Sequence, residues 1–356
     1  MGLPCLRLSL RVASLTVFIC GLVVLTVLNL GWYMRRYSQH GIPSSLGRNA
    51  ESLSQLIGEL NGTNDVSASY LNDQLHNPQS ILDSSLDREM KRRLALIDAA
   101  CTRRKVSRQA KRYNAQFFDH LLVLDPYKLL FNFIPKVSCT TWKKLLGELM
   151  VRANATEHFT TLNKYTTEER NWRLDTYKKA VFVREPLSRL LSAWMDKFRD
   201  NPKDKKRWEK YFGKQIVKRY RQGVHDASGR SLRWLNVTFT EFSQFVARYG
   251  PQCEIDAISD HFVPQNEICN PCQLNYHFIG HFENLAVEGP YFLRWISADH
   301  LVSFPRFHPS AASRSFKEEI ARVPIKALDG LAKLYKRDYE MFGYSFENTL
   351  DILVND

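Results

Sequence analysis

The sequence predicts an α/β fold, a parallel sheet flanked by helices, carried behind a single transmembrane helix and a stem. Three observations predict it. One apolar run near the N-terminus, residues 12–34, holds no charged residue. Two later apolar runs are each followed at once by a Pro-containing turn and then by a helical pattern, and strand, turn, helix twice over argues for a parallel sheet. The 356 residues are 44% hydrophobic and 24% charged, which supplies a core and excludes a wholly disordered chain, a collagen-like repeat or a disulfide-dense miniprotein.

The first element is the apolar run. As a helix, residues 12–34 would extend roughly 34 Å at about 1.5 Å per residue, enough for a hydrocarbon core of about 30 Å. Trp32 and Tyr33 stand at its far end, where aromatic side chains anchor at an interface. A cleaved signal peptide has a shorter run and a small-residue cleavage site; Trp32-Tyr33-Met34-Arg35-Arg36 follows here, so the span reads as an uncleaved anchor. Arg7 and Arg11 before it balance Arg35 and Arg36 after it, so charge gives no orientation. Sequons at Asn61, Asn154 and Asn236 all follow the span and place the C-terminal part in a lumen. The expectation is a type II protein: cytosolic tail 1–11, signal anchor 12–34, luminal stem 35–87 and luminal catalytic domain 88–356. The stem is rich in Ser, Asn, Gln and Gly and poor in aromatics.

Lys and Arg number 50 against 37 Asp and Glu, a net charge of +13, so an anionic partner is expected. Two stretches concentrate the charge, residues 88–112 and 197–221. Each reads equally as a solvated helix face and as a polyanion-binding surface.

The body begins with Leu121–Leu124 and Leu129–Ile134, strand candidates joined by the turn Asp125-Pro126-Tyr127-Lys128. A third strand candidate is Ala180–Val183, and segments near 239–249, 284–297 and 324–342 read as helices. Two turns carry the chemistry. In the first, Pro135-Lys136-Val137-Ser138-Cys139-Thr140-Thr141 joins a strand to a helix, whose free N–H groups, with hydroxyls and one lysine, suit an anion. No G-x-x-x-x-G-K-[ST] is present, so an ordinary nucleotide triphosphatase is disfavoured. In the second, Arg184 ends a strand, and Ser192 follows in the helix after Pro186; an arginine and a hydroxyl so placed can grip a phosphate. Arg189 is a further cation there, or a partner for Glu185. Two such turns on adjacent strands suit a ligand with phosphates at both ends.

These motifs, P-K-V-S-C-T-T-W-K and F-V-R-E-P-L-S-R-L-L-S-A-W, resemble the Golgi carbohydrate sulfotransferases of the HNK-1 and chondroitin 4-O-sulfotransferase group. Asp260-His261, Cys269-Asn270-Pro271-Cys272 and Ile279–Leu285 resemble that family's D/E-H-W, C-x-P-C and V-G-x-x-E-T-L blocks, and Leu162–Tyr165 and Tyr339–Tyr344 extend the likeness over about residues 90–344. Phe262 stands where the family has tryptophan and Asn284 where it has threonine, differences expected to touch acceptor recognition. The resemblance implies a P-loop-like sulfotransferase core and 3′-phosphoadenosine 5′-phosphosulfate (PAPS) as donor, without a metal. It implies that Lys136 is catalytic, that Pro135 to Thr141 bind the 5′-phosphosulfate and that Arg184, Arg189 and Ser192 hold the 3′-phosphate. It further implies O4 of N-acetylgalactosamine in chondroitin as acceptor, with dermatan or a glucuronic acid or N-acetylgalactosamine glycan terminus as alternatives. A general base must take the acceptor proton, and neutral imidazole suits that task; His261 is the first candidate, with His158, His281 and Glu283 as rivals. Cys269, Cys272, His277 and His281 also spell C-x2-C-x4-H-x3-H, a zinc spacing, but an oxidising lumen favours disulfides among Cys101, Cys253, Cys269 and Cys272, with Cys139 as a free thiol. A membrane-tethered, non-catalytic polyanion binder remains the reading from another class; a nucleic-acid partner explains neither anchor nor sequons.

Overall fold

A computed structural model describes residues 78–105, 115–155, 160–221, 235–253, 259–306, 311–351 and 353. The expected span 12–34, most of the stem, Asn61 and His158 lie outside these residues. Among the described residues no helix is long and apolar enough to cross a membrane. One unit takes in Leu82 through Asp356, so it begins inside the expected stem. The cause is a set of polar contacts from that segment. Asp83 accepts from Arg294 at 2.6 and 2.9 Å, and Asp87 accepts from the Tyr291 hydroxyl.

The sheet has five strands in the order β3-β1-β2-β4-β5, namely β1 Leu121–Leu124, β2 Leu129–Asn132, β3 Thr160–Thr161, β4 Lys178–Val183 and β5 Phe278–His281. It is mixed, where a parallel sheet was expected. β2, β4 and β5 are parallel, with Phe131 beside Ala180 and Phe182 beside Gly280. β1 pairs antiparallel with β2 and with β3. The four-residue turn at 125–128 can only reverse the chain, because a parallel return needs a crossover of a dozen or more residues. Lys128 leaves that turn in the left-handed region, φ 45°.

Before the sheet runs α1, Pro78–Arg103. The helices that follow β2, β3 and β4 are, in turn, α2, Cys139–Arg152, α3, Thr167–Thr176, and α4, Pro186–Trp194. Two six- and five-residue π-helical stretches, Met195–Asp200 and Glu209–Gly213, alternate with α5, Pro202–Trp208, and α6, Lys214–Tyr220. Then come α7, Phe239–Tyr249, the short α8, Gln265–Cys269, and α9, Pro271–Leu274, and finally α10, Leu285–Trp295, α11, Ala311–Ala321, α12, Ile325–Phe342, and α13, Phe346–Asp351. Thr238 and Glu241 form a reciprocal capping box that starts α7, satisfying two otherwise unpaired N–H groups.

Strand β4 is buried on both faces from Lys179 to Val183, as expected of a central strand with helices on either side. On one face Trp142 of α2 packs on Phe182, ring centroids 4.5 Å apart, and Phe131, Phe278 and Phe292 complete the cluster. A Cβ at Gly280 would stand 2.1 Å from the Phe182 ring, so only glycine lets β5 approach there. Trp142 therefore locks the helix that carries the first turn onto the strand that carries the second.

Helix α1 is tied to this core twice. Arg93 is 1% exposed and donates to both Glu288 oxygens at 2.9 and 2.7 Å and to the Ile279 carbonyl at 2.8 Å. This basic residue is thus interior rather than part of a polyanion-binding face. The second tie is the disulfide Cys101–Cys272, across 171 residues of chain. Cys139 and Cys269 are free thiols. With Cys272 bonded to Cys101 and His277 Nδ1 accepting from the Lys179 N–H at 3.1 Å, the zinc-like spacing is not gathered into one ligand set. Replacing Cys101 and Cys272 together by alanine is expected to lower the unfolding free energy by about 2–4 kcal/mol, because the unfolded chain regains loop entropy. Urea titration of the oxidised wild type and the double variant checks this, and coincident midpoints would contradict it.

Candidate functional site

Both expected turns stand at the carboxyl ends of adjacent parallel strands, β2 and β4, the edge at which open α/β sheets bind ligands. In the first, Lys136 and Ser138 take left-handed φ values of 70° and 52°. These turns of the backbone bring the chain from β2 directly into α2. Val137 drops its side chain into the core at 2% exposure, and Pro135 and Val137 offer the site only their backbone. Ser138 and Cys139 are half-buried, Thr140 is exposed and Thr141 half-buried. The first intrahelical bond is Trp142 N–H to Ser138 C=O, 2.9 Å, and no side chain caps the helix. The N–H groups of Cys139, Thr140 and Thr141 therefore precede the ladder, beside two threonine hydroxyls and one lysine. A helix N-terminus left in this state attracts an anion.

The second turn is finished differently. Glu185 caps α4 with its own carboxylate, which accepts from Leu187 N–H at 3.0 Å and Ser188 N–H at 2.6 Å. That helix end has no need of an external anion. Arg184 precedes it, 2% exposed, with its guanidinium 4.1 Å over the Phe282 ring. It donates to the Lys136 carbonyl at 3.1 Å, so the two turns are directly joined. Burial pushes its pKa down to about 10, opposed by Glu283 and Glu185, and it stays cationic at neutral pH. The Gln265 amide grips the Arg184 backbone from both sides, at 2.9 and 2.7 Å. Asp338 of α12 in turn accepts from the Gln265 and Asn266 N–H groups. Ser192 lies half-buried further along α4.

Arg189 is not placed to bind a donor. It is 1% exposed, and its guanidinium donates to the Pro135, Val263 and Asp260 carbonyls at 3.0, 2.8 and 2.5 Å. Nor does it pair with Glu185. A planar fork that bonds three backbone oxygens is a scaffold: it fastens the first turn to the segment bearing Asp260 and His261.

Lys136 points its ammonium at Asp196, 3.0 Å away, in the π-helical stretch after α4. Burial lowers the lysine pKa and Asp196 opposes the shift. Asp196 also pairs with Lys197 at 3.0 Å, and Lys197 with Asp204 at 2.7 Å. Sequence reasoning missed Asp196, because a carboxylate sixty positions from the lysine has no local signature.

His261 places Nδ1 2.5 Å from Asp260 Oδ1, and its ring lies edge-on to Trp208, centroids 5.5 Å apart. The second Asp260 oxygen, Oδ2, stands 3.2 Å from Nε2 of His120, a residue that sequence reasoning also passed over. Burial would raise the Asp260 pKa, but hydrogen bonds from His120 and His261 hold the carboxyl well below the usual carboxylate range. Of the rivals for general base, His281 is buried and Glu283 is exposed. His281 is stacked on Tyr344, 4.5 Å between centroids, and burial pushes its pKa down to about 3. Glu283 accepts from the Glu185 N–H at 2.9 Å and the Tyr344 hydroxyl at 2.8 Å.

Of the two departures from the family blocks, Phe262 is buried and Asn284 is exposed. Phe262 is 0% exposed, edge-on to Phe212 and Phe242 at 5.8 and 5.9 Å. Asn284 donates to Glu288 Oε1 at 3.0 Å and so joins the Arg93 cluster. Asn154 and Asn236 are both exposed.

Residues 119–345 match the sulfotransferase family. Among individual relatives, carbohydrate sulfotransferase 14 of Danio rerio is 31% identical over 65% of this chain and 64% of its own length. Carbohydrate sulfotransferase 11 of Rattus norvegicus is 29% identical over 78% of this chain and 82% of its own. Carbohydrate sulfotransferase 8 of Homo sapiens is 31% identical over 73% of this chain and 64% of its own. The chain thus spans a little under two thirds of the length of the first of these. No solved structure matches.

Proposed function

The chain belongs to the sulfotransferase family, and from that premise we propose that it transfers the sulfuryl group of PAPS to a hydroxyl of an acidic glycan, at O4 of N-acetylgalactosamine in chondroitin. The observation that carries this reading is the uncapped N-terminus of α2 set beside Lys136, at a strand end directly bonded to Arg184. Its residues fit a donor with phosphates at both ends. Ser138, Thr140, Thr141 and the first N–H groups of α2 hold the 5′-phosphosulfate. Lys136 leaves Asp196 to stabilise charge on the departing phosphate. Arg184 and Ser192 serve the 3′-phosphate.

The acceptor oxygen attacks sulfur, the bond from sulfur to the 5′-phosphate oxygen breaks, and the acceptor proton passes to His261. Such a reaction asks a protein mainly for alignment and charge stabilisation. The segment after α4 connects donor side to acceptor side, from Asp196 at Lys136 to Trp208 at His261. It exposes Lys203, Lys206, Arg207, Lys210, Lys214 and Lys218, a cationic face suited to a glycan with a carboxylate on alternate sugars. Several cations of the same stretch are satisfied internally, among them Lys197 on Asp204 and Arg221 on Glu241. Exposed Asn154 and Asn236 accord with glycosylation in the Golgi lumen, behind a type II anchor at 12–34.

Arg184→Ala is expected to raise the KM for PAPS about ten- to a hundredfold, from the loss of a charge-assisted contact worth about 1.5–3 kcal/mol, with the acceptor KM little changed. Initial-rate kinetics with each substrate varied in turn checks it; a changed acceptor KM with an unchanged donor KM would remove Arg184 from the donor site. For regiochemistry, disaccharide analysis after incubation with desulfated chondroitin, dermatan and an N-glycan terminus should find sulfate at O4 of chondroitin N-acetylgalactosamine. Sulfate confined to dermatan or to the glycan terminus would move the acceptor to that alternative.

A further inference from the structure

Asp260 carries two imidazoles, one on each carboxylate oxygen. The side chains of His120, Asp260 and His261 are 16%, 10% and 17% exposed, so the group is neither sealed in the core nor loose on the surface. It is fastened to the donor turn from two directions. Arg189 bonds the Asp260 carbonyl with one nitrogen and the Pro135 carbonyl with another. The His120 carbonyl accepts from the Phe133 N–H at 2.9 Å, and its ring packs on the Phe133 ring at 4.9 Å, two residues before Pro135.

We propose that His120 is a positioning residue for acceptor deprotonation, holding Oδ2 of Asp260 so that Oδ1 fixes the ring of His261 with Nε2 free to take the proton. This inference rests on the sulfuryl-transfer reading above. A carboxylate only accepts, so an imidazole nitrogen facing it must donate. His261 therefore carries its proton on Nδ1 when neutral, and its lone pair is on Nε2, the tautomer a general base requires. An Asp with one oxygen unheld could turn about its χ angles and carry the His261 ring with it. The His120 bond removes that freedom. When His261 accepts the acceptor proton, the resulting imidazolium faces an ionised Asp260, and His120 keeps that carboxylate in place. Among the described residues, Arg189, on the Asp260 carbonyl, and Lys143, 3.6 Å over the Phe133 ring, are further charged groups beside the cluster.

The test uses the full chain with His120→Phe and His120→Gln, PAPS and desulfated chondroitin, and kcat measured across pH. His120→Phe is expected to lower kcat about ten- to a hundredfold, part of what general-base catalysis supplies, while the PAPS KM stays within about twofold. Removing one donor from Asp260 leaves its charge more available to the His261 imidazolium. The acidic limb of the kcat profile should therefore move to higher pH. His120→Gln keeps an N–H that can reach Oδ2 and should restore most of the rate and the original limb. Wild-type kcat and limb in His120→Phe overturn the proposal, as does a loss that follows thermal destabilisation and is not relieved by glutamine. Wild type that transfers no sulfuryl group at all overturns the function on which the proposal rests, and the proposal with it.

Discussion

Replacing Lys136 by alanine lowers kcat about a hundred- to a thousandfold, the usual consequence of removing one preorganised group that stabilises transition-state charge, about 2.7–4 kcal/mol. The backbone of the turn keeps its shape, because Val137 and Pro135 remain buried and Arg184 and Arg189 bond carbonyl oxygens rather than the lysine side chain. The fold is therefore retained, and circular dichroism of the variant should match the wild type. Residue 136 sits at φ 70°, where alanine is as strained as lysine, so the backbone term cancels. Donor KM changes far less than kcat, since the N–H groups and hydroxyls of α2 still hold the 5′-phosphate. Single-turnover transfer from labelled PAPS separates the two. A variant with wild-type kcat would place the leaving-group charge elsewhere.

The second large effect concerns stability. Glu288→Ala should lower the unfolding free energy by about 3–5 kcal/mol, because it strands a buried cation. Arg93 and Glu288 are each 1% exposed. Burial works against both charges, and their mutual hydrogen bonds outweigh it, raising the Arg93 pKa and lowering that of Glu288. The His281 N–H and the Asn284 amide would lose their acceptor as well. By contrast, Glu89→Ala removes a partly exposed partner of Arg92 and Arg93 and should cost about 1 kcal/mol or less. Urea unfolding of the two variants side by side checks the ordering. A Glu288→Ala variant no less stable than Glu89→Ala would contradict the account of how α1 is held.

The two turns were legible in the sequence because each is local. A strand, a Pro, a cation and a hydroxyl cluster within about a dozen positions, and the segments near 239–249 and 324–342 read as helices from their residue pattern. What escaped was set by long-range packing. The hairpin of β1 and β2 follows from the turn at 125–128, yet the strand–turn–helix repeat suggested parallel pairing throughout. Arg189 looked like a ligand for phosphate, and only the carbonyls of Pro135, Val263 and Asp260 show what it holds. Asp196 and His120 carry no motif of their own. Their partners lie sixty and a hundred and forty residues away, and no local pattern encodes such a pairing. Phe262, a departure from a family block, was read as an acceptor contact and is packed inside the protein instead, whereas Asn284 stays exposed while it donates to Glu288.

The most direct measurement incubates the full chain with 35S-labelled PAPS and desulfated chondroitin and follows the label. The account predicts label in the glycan, in an amount equal to the 3′,5′-bisphosphate product formed, and its loss in Lys136→Ala. Folded protein that binds the bisphosphate product and moves no label to any acidic glycan, or that binds chondroitin with salt-sensitive affinity but no donor product, would contradict it.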